Sequence, residues 1–186
     1  MLPEIIQKPN IFHVLYLIDK DLAKSTQSNR CPYCSGPLHQ AHYYRKARGG
    51  PQNIPDDYLI RFSFCCGREQ CRKRSISPSC RFLGRKVYWS CSILIILALR
   101  QNRPNSMSIN KLISMFGVSR KTIKRWIRYF REEFPNTPMW QRLRGRVSSL
   151  IKNSELPGKL LSYFLSCSGS QEEGVIKCCQ FLTNGL

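Results

Sequence analysis

The stretch from residue 109 to residue 128 constrains the fold more than any other part of the sequence. Two short helices joined by a tight turn need apolar residues where they press together, and a glycine suits a turn that requires a positive φ. Ser119 can cap the second helix through its side-chain oxygen. With Gly117 as the turn residue, five apolar residues fall on the buried positions of a helix-turn-helix: Leu112, Phe116, Val118, Ile123 and Trp126.

The second predicted helix also carries a basic face. Its lysine and arginine side chains lie mostly off the apolar stripe and begin at its N-terminal end, a placement that suits entry into the major groove of DNA. The alternative interpretation is an ordinary helical hairpin whose charges face solvent. The residues predicted to contact DNA on this helix are Ser119, Arg120, Lys121, Thr122, Lys124, Arg125 and Arg128.

Residues 109–128 resemble the helix-turn-helix of transposases and bacterial regulators. The turn of that family often reads Gly-Val-Ser followed by Arg-x-Thr-Ile-x-Arg-Trp, and this sequence reads Gly-Val-Ser-Arg-Lys-Thr-Ile-Lys-Arg-Trp. The sequence departs from the pattern at Ile113, where the family prefers a small residue such as alanine. The larger side chain of Ile113 is expected to open the angle between the two helices, which would change how they dock on DNA.

The formal net charge of +19 is concentrated in two blocks of the chain. Residues 31–86 carry 11 basic and 3 acidic side chains, and residues 100–146 carry 12 basic and 2 acidic ones, whereas the two ends are close to neutral. Such a distribution points to a polyanionic partner and favours nucleic acid. A membrane surface is the weaker alternative, because no long basic amphipathic helix with a broad apolar face is evident.

The ten cysteines are expected to include metal ligands rather than disulfides. The first residues, Met-Leu-Pro-Glu-Ile-Ile, lack the basic start and the small-residue cleavage site of a signal peptide, and the apolar runs 11–18 and 93–99 are too short to span a bilayer. We therefore expect a cytoplasmic, nucleoid-associated protein. In that reducing compartment, paired cysteines are better explained by metal binding.

Four cysteines have the spacing of a zinc site. Cys31-Pro-Tyr-Cys34, followed by Ser-Gly, has the form of a knuckle turn that points two sulfurs at one metal, and a second pair can complete the tetrahedron. Cys65 is the reserve ligand for Cys66, since the alternation of residues 59–66 predicts a strand on which the two side chains point in opposite directions. The predicted ligands of one structural Zn²⁺ are Cys31, Cys34, Cys66 and Cys71.

Two alternatives are kept open for these cysteines. His39 and His42 could also ligate, although a site made of these two residues and the first cysteine pair would be cramped. The first pair could instead be a redox Cys-x-x-Cys motif. That motif prefers the start of a helix in a thioredoxin-like context, whereas here Ser-Gly-Pro follows.

The block from residue 31 to residue 84 resembles a zinc ribbon, which implies strands near residues 38–45 and 58–65. The stretch 71–86 interleaves basic and hydroxyl side chains, which can contact phosphates without reading sequence. A solvated basic loop is the alternative for this stretch. Arg72, Lys73 and Arg74 are the predicted phosphate contacts, and Cys80 and Cys91, which follow no ligand spacing, are expected to pack as small hydrophobic residues.

The predicted fold class is α+β, with a small zinc-ribbon β module followed by an all-α helix-turn-helix bundle. We assign residues 1–30 to an N-terminal helix or arm, 31–84 to the ribbon, 85–134 to a three-helix domain and 135–186 to a C-terminal helical tail. Residues 24–30 read as a polar linker, and the apolar run 85–100 as a buried helix under the helix-turn-helix. Further helices are predicted over 139–153 and 159–166.

No catalytic arrangement is evident in the sequence. An integrase-type transposase needs three carboxylates that hold two metal ions, and the 11 acidic residues show no such set in a suitable pattern. A glycine-rich phosphate loop and a Ser/His/Asp set in credible context are also missing. We therefore expect a protein that is not an enzyme.

The order of zinc ribbon and then helix-turn-helix, over residues 31–134, resembles the N-terminal part of insertion-sequence transposases and small proteins carried with mobile elements. The resemblance implies a sequence-specific protein that binds double-stranded DNA without a catalytic domain. A transposase or a second copy of the chain is the candidate protein partner, and no membrane is expected. The alternatives are a bacterial transcription regulator that dimerises through residues 139–186, and a zinc-ribbon module that binds RNA or protein.

Overall fold

The computed structural model describes residues 2–51, 53–84, 86–102, 105–147 and 151–184. These residues combine helices with short strands, and helix predominates, so the expectation of a chain with both kinds of structure is confirmed. The α-helices of the described ranges are α1 (Leu2–Ile5), α2 (Pro9–Ser28), α3 (Ser90–Gln101), α4 (Ile109–Phe116), α5 (Arg120–Arg128), α6 (Pro138–Leu143), α7 (Gly158–Ser166) and α8 (Gln171–Asn184). The strands are β1 (Leu38–Gln40), β2 (Tyr43–Tyr44), β3 (Ile60–Arg61), β4 (Ser63–Cys66) and β5 (Arg74–Ile76).

The strands form two small antiparallel sheets. One sheet has the order β1-β4-β5, and in its register Leu38 on β1 lies opposite Cys66 on β4. The other sheet pairs β2 with β3, with Tyr43 opposite Arg61. Since β1 follows the first cysteine pair and β4 ends on Cys66, the three-stranded sheet brings the two cysteine pairs side by side.

The strands differ from the predicted ones in length and number. The strand predicted over 38–45 is interrupted at His42, whose Nδ1 lies 3.3 Å from the amide nitrogen of Ser63 and so takes the place of a strand partner. The strand predicted over 58–65 begins later, because Asp56–Leu59 is a 3₁₀ helix. The basic stretch after Cys71 contributes β5, since the amide N–H of Cys66 donates to the carbonyl of Lys73 at 3.0 Å and draws this stretch alongside β4.

Helix α2 extends further than the sequence suggests. The prediction of a linker over residues 24–30 is wrong as far as Ser28, where the helix ends. No glycine or proline interrupts residues 10–29. The hydroxyls of Ser25 and Thr26 donate to the carbonyls of Asp21 and Leu22, one turn back, at 3.1 and 2.8 Å. These two polar side chains, which resemble a linker in the sequence, therefore form hydrogen bonds within the helix.

Two hydrophobic clusters organise the chain, and α2 contributes to both. The larger cluster takes Phe12 and Leu15 from the first half of α2 and includes residues of α1 and of every helix from α3 onwards. The smaller cluster surrounds the cysteines and takes Ala23 from the second half of α2, together with residues such as Phe64 and Cys66. The long helix therefore fixes the cysteine-bearing sheet against the helical body.

A fully buried ion pair joins α2 to the segment before α3. The side chains of Asp19 and Arg81 are both 0% exposed, and the Nε of Arg81 donates to Asp19 Oδ2 at 2.8 Å. The other nitrogens of Arg81 donate to the carbonyls of Tyr58 and Ile60 at 2.5 and 2.8 Å. Burial lowers the pKa of Arg81, and the carboxylate of Asp19 opposes that effect. The prediction that residues 71–86 can contact phosphates is therefore wrong for Arg81, because its guanidinium is buried against Asp19. Asp19 lies 62 residues away in the sequence.

Helix α3 is the buried helix that the sequence predicts, although it begins at Ser90 rather than near residue 85. Its residues from Ser90 to Ala98 are all buried. It packs against α4 and α5 on the one hand and against α7 and α8 on the other. The helix predicted over 159–166 is confirmed as α7, and the last part of the chain packs directly on α3 through α7 and α8.

The helix predicted over 139–153 is shorter than expected. Helix α6 ends at Leu143 and is followed by a 3₁₀ turn, Arg144–Arg146, and by Val147 in an extended conformation. Gly145 lies in that turn and is a poor helix former. Residues 148–150, which belong to the same prediction, lie outside the described residues. Across the described ranges, no helix combines the length and the apolar character needed to cross a membrane.

Replacing Asp19 by Ala is expected to lower the free energy of unfolding by about 3–5 kcal/mol, because the guanidinium of Arg81 would stay buried without its counter-charge. Urea denaturation followed by tryptophan fluorescence measures the change. Lys24→Ala is the matched control, since it removes an exposed ion pair to Asp21 on the same helix and is expected to change stability little. Equal effects of the two substitutions would contradict the importance of the buried pair.

Candidate metal centre and basic helix

Four cysteine sulfurs converge on a single point between the Cys31–Cys34 turn and the Cys66–Cys71 turn of the three-stranded sheet. The sulfurs of Cys31, Cys34, Cys66 and Cys71 all lie within 4.8 Å of one another. The Sγ atoms of Cys34 and Cys66 are 3.4 Å apart, and those of Cys31 and Cys71 are 3.8 Å apart. A tetrahedral ion with metal–sulfur bonds of about 2.3 Å requires sulfur–sulfur distances of about 3.8 Å. The four thiols therefore fit one metal ion, and the predicted ligand set is the one that the structure brings together.

The two cysteine pairs lie in turns that are built alike. In each turn the amide N–H of the first cysteine donates at 3.0 Å to the carbonyl two residues after the second: Cys31 to Gly36, and Cys66 to Lys73. In each turn the residue after the second cysteine, Ser35 or Arg72, has a positive φ, of 55° and 45°. Gly36 is needed in the first turn, since a Cβ there would lie 3.0 Å from the sulfur of Cys66 and 2.9 Å from the side chain of Arg68.

Backbone amides lower the pKa of Cys31, the first thiol of the cluster. The N–H of Tyr33 points at the sulfur of Cys31 and, with the N–H of Cys34 and the thiols of Cys34 and Cys71, lowers the pKa of Cys31 to about 7 against the opposing effect of burial. At Cys71 the N–H of Lys73 acts in the same sense, but burial and the thiols of Cys34 and Cys31 outweigh it and raise the pKa. A thiol with a lowered pKa is readily deprotonated, as a metal ligand must be.

The alternative ligands lie elsewhere. Cys65 points to the opposite face of β4 from Cys66, as the alternation predicts, and its Sγ lies 3.3 Å from the carbonyl of Arg72. His42 packs edge-on against the rings of Phe62 and Phe64 and contacts the backbone of Ser63. His39 is exposed on β1. In the part of the chain that the structure describes, neither histidine belongs to the cysteine cluster.

Four further cysteines are packing residues. Cys80, Cys91, Cys178 and Cys179 are buried in the larger hydrophobic cluster, which confirms the expectation for Cys80 and Cys91. Burial raises the pKa of Cys80 and of Cys91 to about 12 and raises those of Cys178 and Cys179 as well. Such thiols stay protonated and are poor nucleophiles and poor metal ligands.

The pair of helices α4 and α5 has the turn and caps that the sequence predicts. Gly117 has φ 60° and ψ 24°, in the left-handed region. The Ser119 side chain accepts a hydrogen bond from the amide N–H of Thr122 at 3.2 Å, and Ser108 caps α4 in the same way. Of the five apolar residues predicted to lie between the two helices, Phe116 is half-buried. The other four are buried: Leu112, Val118, Ile123 and Trp126.

The basic side chains of α5 face solvent. Arg120 is tied to α4, since its Nη2 donates to Asn110 Oδ1 at 2.5 Å. Ser119 and Thr122 are engaged in capping, and their hydroxyls lie 3.0 Å apart. Residues 105–131 contain no acidic residue that could neutralise this face. The exposed basic residues of α5 are Arg120, Lys121, Lys124, Arg125 and Arg128.

A second exposed basic group lies on the sheet module. Arg72, Lys73 and Arg74 are exposed at the start of β5. The Nζ of Lys73 lies 4.2 Å from the centre of the Tyr33 ring, and the guanidinium of Arg74 lies 5.8 Å from that of Tyr43. The sequence reasoning found the basic residues but missed these two tyrosines. The available signal was a tyrosine inside the Cys31–Cys34 turn.

Comparisons with protein-family models, with curated proteins and with solved structures gave no match. What the site can do follows from its chemistry alone. The four thiols can hold one metal ion, and α5 and the start of β5 present positive charge to solvent.

Replacing Cys34 by Ser is expected to release the bound metal, because three thiolates bind a divalent ion far more weakly than four and the turns depend on the ion for their position. Metal content per chain, measured by mass spectrometry on the purified protein, tests this. Cys65→Ser is the matched control and should retain the metal, since Cys65 lies outside the cluster. Unchanged metal content in Cys34→Ser would refute the ligand set.

Proposed function

We propose that the protein is a sequence-specific DNA-binding protein with one structural zinc ion, related to the recognition part of transposases and without catalysis of its own. The observation that carries the proposal is the basic face of α5, which is exposed and free of acidic neighbours over residues 105–131. Such a helix, braced by a second helix across a tight turn, has the dimensions and charge of a major-groove reader.

The choice of zinc rests on the donor set and its spacing. Four thiolates in a tetrahedral arrangement suit Zn²⁺ or iron. Sulfurs separated by 3.4 and 3.8 Å suit a single ion, whereas a cluster of several iron atoms would hold them further apart. The ion would cross-link the two turns and thereby fix the sheet module, while Cys31, Cys34, Cys66 and Cys71 serve as its ligands.

In the proposed complex the basic residues divide into two groups. Arg120, Lys121 and Lys124 lie on the first two turns of α5, where they would meet base edges or flanking phosphates. Arg125 and Arg128 would anchor the DNA backbone, and Arg72, Lys73 and Arg74 on the sheet module would contact further phosphates. A link to mobile elements is supported by the resemblance of residues 109–128 to transposases and regulators.

A dimeric transcription regulator is the alternative function, and the packing of the C-terminal helices bears on it. That alternative uses residues 139–186 for dimerisation. Apolar residues such as Leu160, Leu161 and Phe181 are instead buried within the chain, in contacts of α7 and α8 with each other and with α3. The packing therefore favours a recognition module over a regulator that dimerises through these helices.

Replacing Lys124 by Ala is expected to weaken binding to the cognate duplex by about 1–3 kcal/mol, the range for a residue that contacts a base edge. The cognate duplex is first selected from a randomised DNA pool, and affinities are then measured by fluorescence anisotropy. Lys159→Ala is the matched control, since Lys159 is exposed on α7 in a part of the chain with balanced charge. Equal affinity of the Lys124 variant and the unmodified protein would place the contact surface elsewhere.

Duplex affinity is also expected to fall steeply with salt, because each phosphate that is neutralised releases condensed counterions. The logarithm of the binding constant should fall with the logarithm of salt concentration by about 0.9 per phosphate contact. Arg128→Ala, which removes one proposed phosphate contact, should reduce the slope by about that amount. Anisotropy titrations at several salt concentrations measure both slopes, and a flat dependence for the unmodified protein would refute DNA binding through these residues.

A further inference from the structure

Two of the exposed tyrosines on the sheet module are each covered on one side by a cation. Tyr33 is 62% exposed and lies under the Nζ of Lys73, and Tyr43 is 36% exposed and lies near the guanidinium of Arg74. The two cations are consecutive residues at the start of β5, so each ring lies beside its own cation at that end of the edge strand. We call Tyr33, Tyr43, Lys73 and Arg74 the aromatic–basic patch.

The fold leaves this patch open. Strand β5 is at one edge of the three-stranded sheet, and Arg74 lies on the face that also carries Cys65 and His39 in the same register. The opposite face packs into the smaller hydrophobic cluster through Leu38 and Phe64. Ile76, two residues after Arg74 and on the same face, is 53% exposed. Ile76, Arg74 and the ring of Tyr43 are therefore presented together to solvent.

Rings in this setting suit unpaired nucleobases. A cation on one face of a tyrosine leaves the other face free to stack, and the positive charge lies close to where the phosphate of a stacked nucleotide would run. A base within an intact duplex offers its edges and not its faces, so stacking on a side chain requires a base that is unpaired. The charge around the patch agrees with this, because Glu69 is the single acidic residue among residues 62–80, against four basic residues that are all exposed.

We propose that the aromatic–basic patch binds single-stranded DNA, with Tyr33 and Tyr43 stacking on bases and Lys73 and Arg74 neutralising phosphates. The choice of DNA over RNA rests on the proposed function, whereas the stacking does not. The bases of the two nucleic acids would then be contacted by separate residues, those of a duplex by α5 and those of an unpaired strand by Tyr33 and Tyr43, whereas Lys73 and Arg74 can contact the phosphates of either.

The test is fluorescence anisotropy of the full, metal-loaded chain with three labelled probes of about 12 nucleotides, the length over which such surfaces bind. The probes are single-stranded thymidine DNA, single-stranded uridine RNA and a duplex. Tyr33→Ala and Tyr43→Ala should each weaken binding to the single-stranded DNA at least about fivefold, the lower end of the loss of one stacked base. Tyr33→Phe and Tyr43→Phe keep the ring and should keep the affinity. Metal content is measured on every variant to confirm an intact module.

Tyr44→Ala is the matched control. Tyr44 is 67% exposed, but it follows Tyr43 on β2 and therefore points to the other face of that strand, so its removal should leave single-strand binding unchanged. The proposal is overturned if the alanine variants of Tyr33 and Tyr43 keep both their metal and their affinity, if Tyr44→Ala causes the same loss, or if RNA is bound and DNA is not. Lys124→Ala tests the two sites separately. If this variant loses duplex binding and keeps single-strand binding, both the proposed function and the proposal for the patch are supported. If its duplex binding is unchanged, only the proposed function is contradicted.

Discussion

The buried contact between Asp19 and Arg81 is the interaction on which the arrangement of the rest depends. A guanidinium that is wholly removed from water must have its charge compensated and its donors satisfied, and here the partners come from α2 and from the carbonyls of Tyr58 and Ile60. Three segments that are far apart in sequence therefore meet at one planar group. A lysine could not make the same set of contacts, because its ammonium lacks the rigid fork of donors. This contact fixes where the strand that ends on Cys66 lies relative to the helical body.

The cysteine module needs more than its own hydrophobic residues. Its cluster consists of six buried residues, two of which are the cysteines Cys31 and Cys66. Clusters of that size contribute little stability, and small modules of this kind usually depend on a metal or on docking to a larger body. Both supports are available here. A metal ion can cross-link the two turns, and α2 places Ala23 against the cluster while its other half packs in the larger one.

The parts of the structure that the sequence predicts are those set by neighbouring residues. The turn at Gly117, the cap at Ser119 and the cysteine turns each depend on residues within a few positions of one another, so their patterns can be read directly. Arg81 could not be predicted in the same way, because nothing near it in the sequence distinguishes a buried arginine from an exposed one. Strand β5 and the last turn of α2 also depend on partners that only the folded chain supplies. The tyrosines of the aromatic–basic patch were missed for the same reason, since the cations beside them, Lys73 and Arg74, come from a later part of the sequence.

The two proposed contact surfaces differ in what holds them in place. Helix α5 is positioned by its own cap, by the turn at Gly117 and by the packing of Trp126 against Tyr88, none of which involves the metal ligands. Half of the aromatic–basic patch belongs to the cysteine turns, because Tyr33 lies between two proposed ligands and the carbonyl of Lys73 accepts the N–H of Cys66, whereas Tyr43 and Arg74 lie on β2 and β5. Under the proposed function, metal binding therefore fixes the positions of Tyr33 and Lys73 and leaves the geometry of α5 almost unaffected. The ion then does more than stabilise a small sheet, since it sets the geometry of half of the second surface.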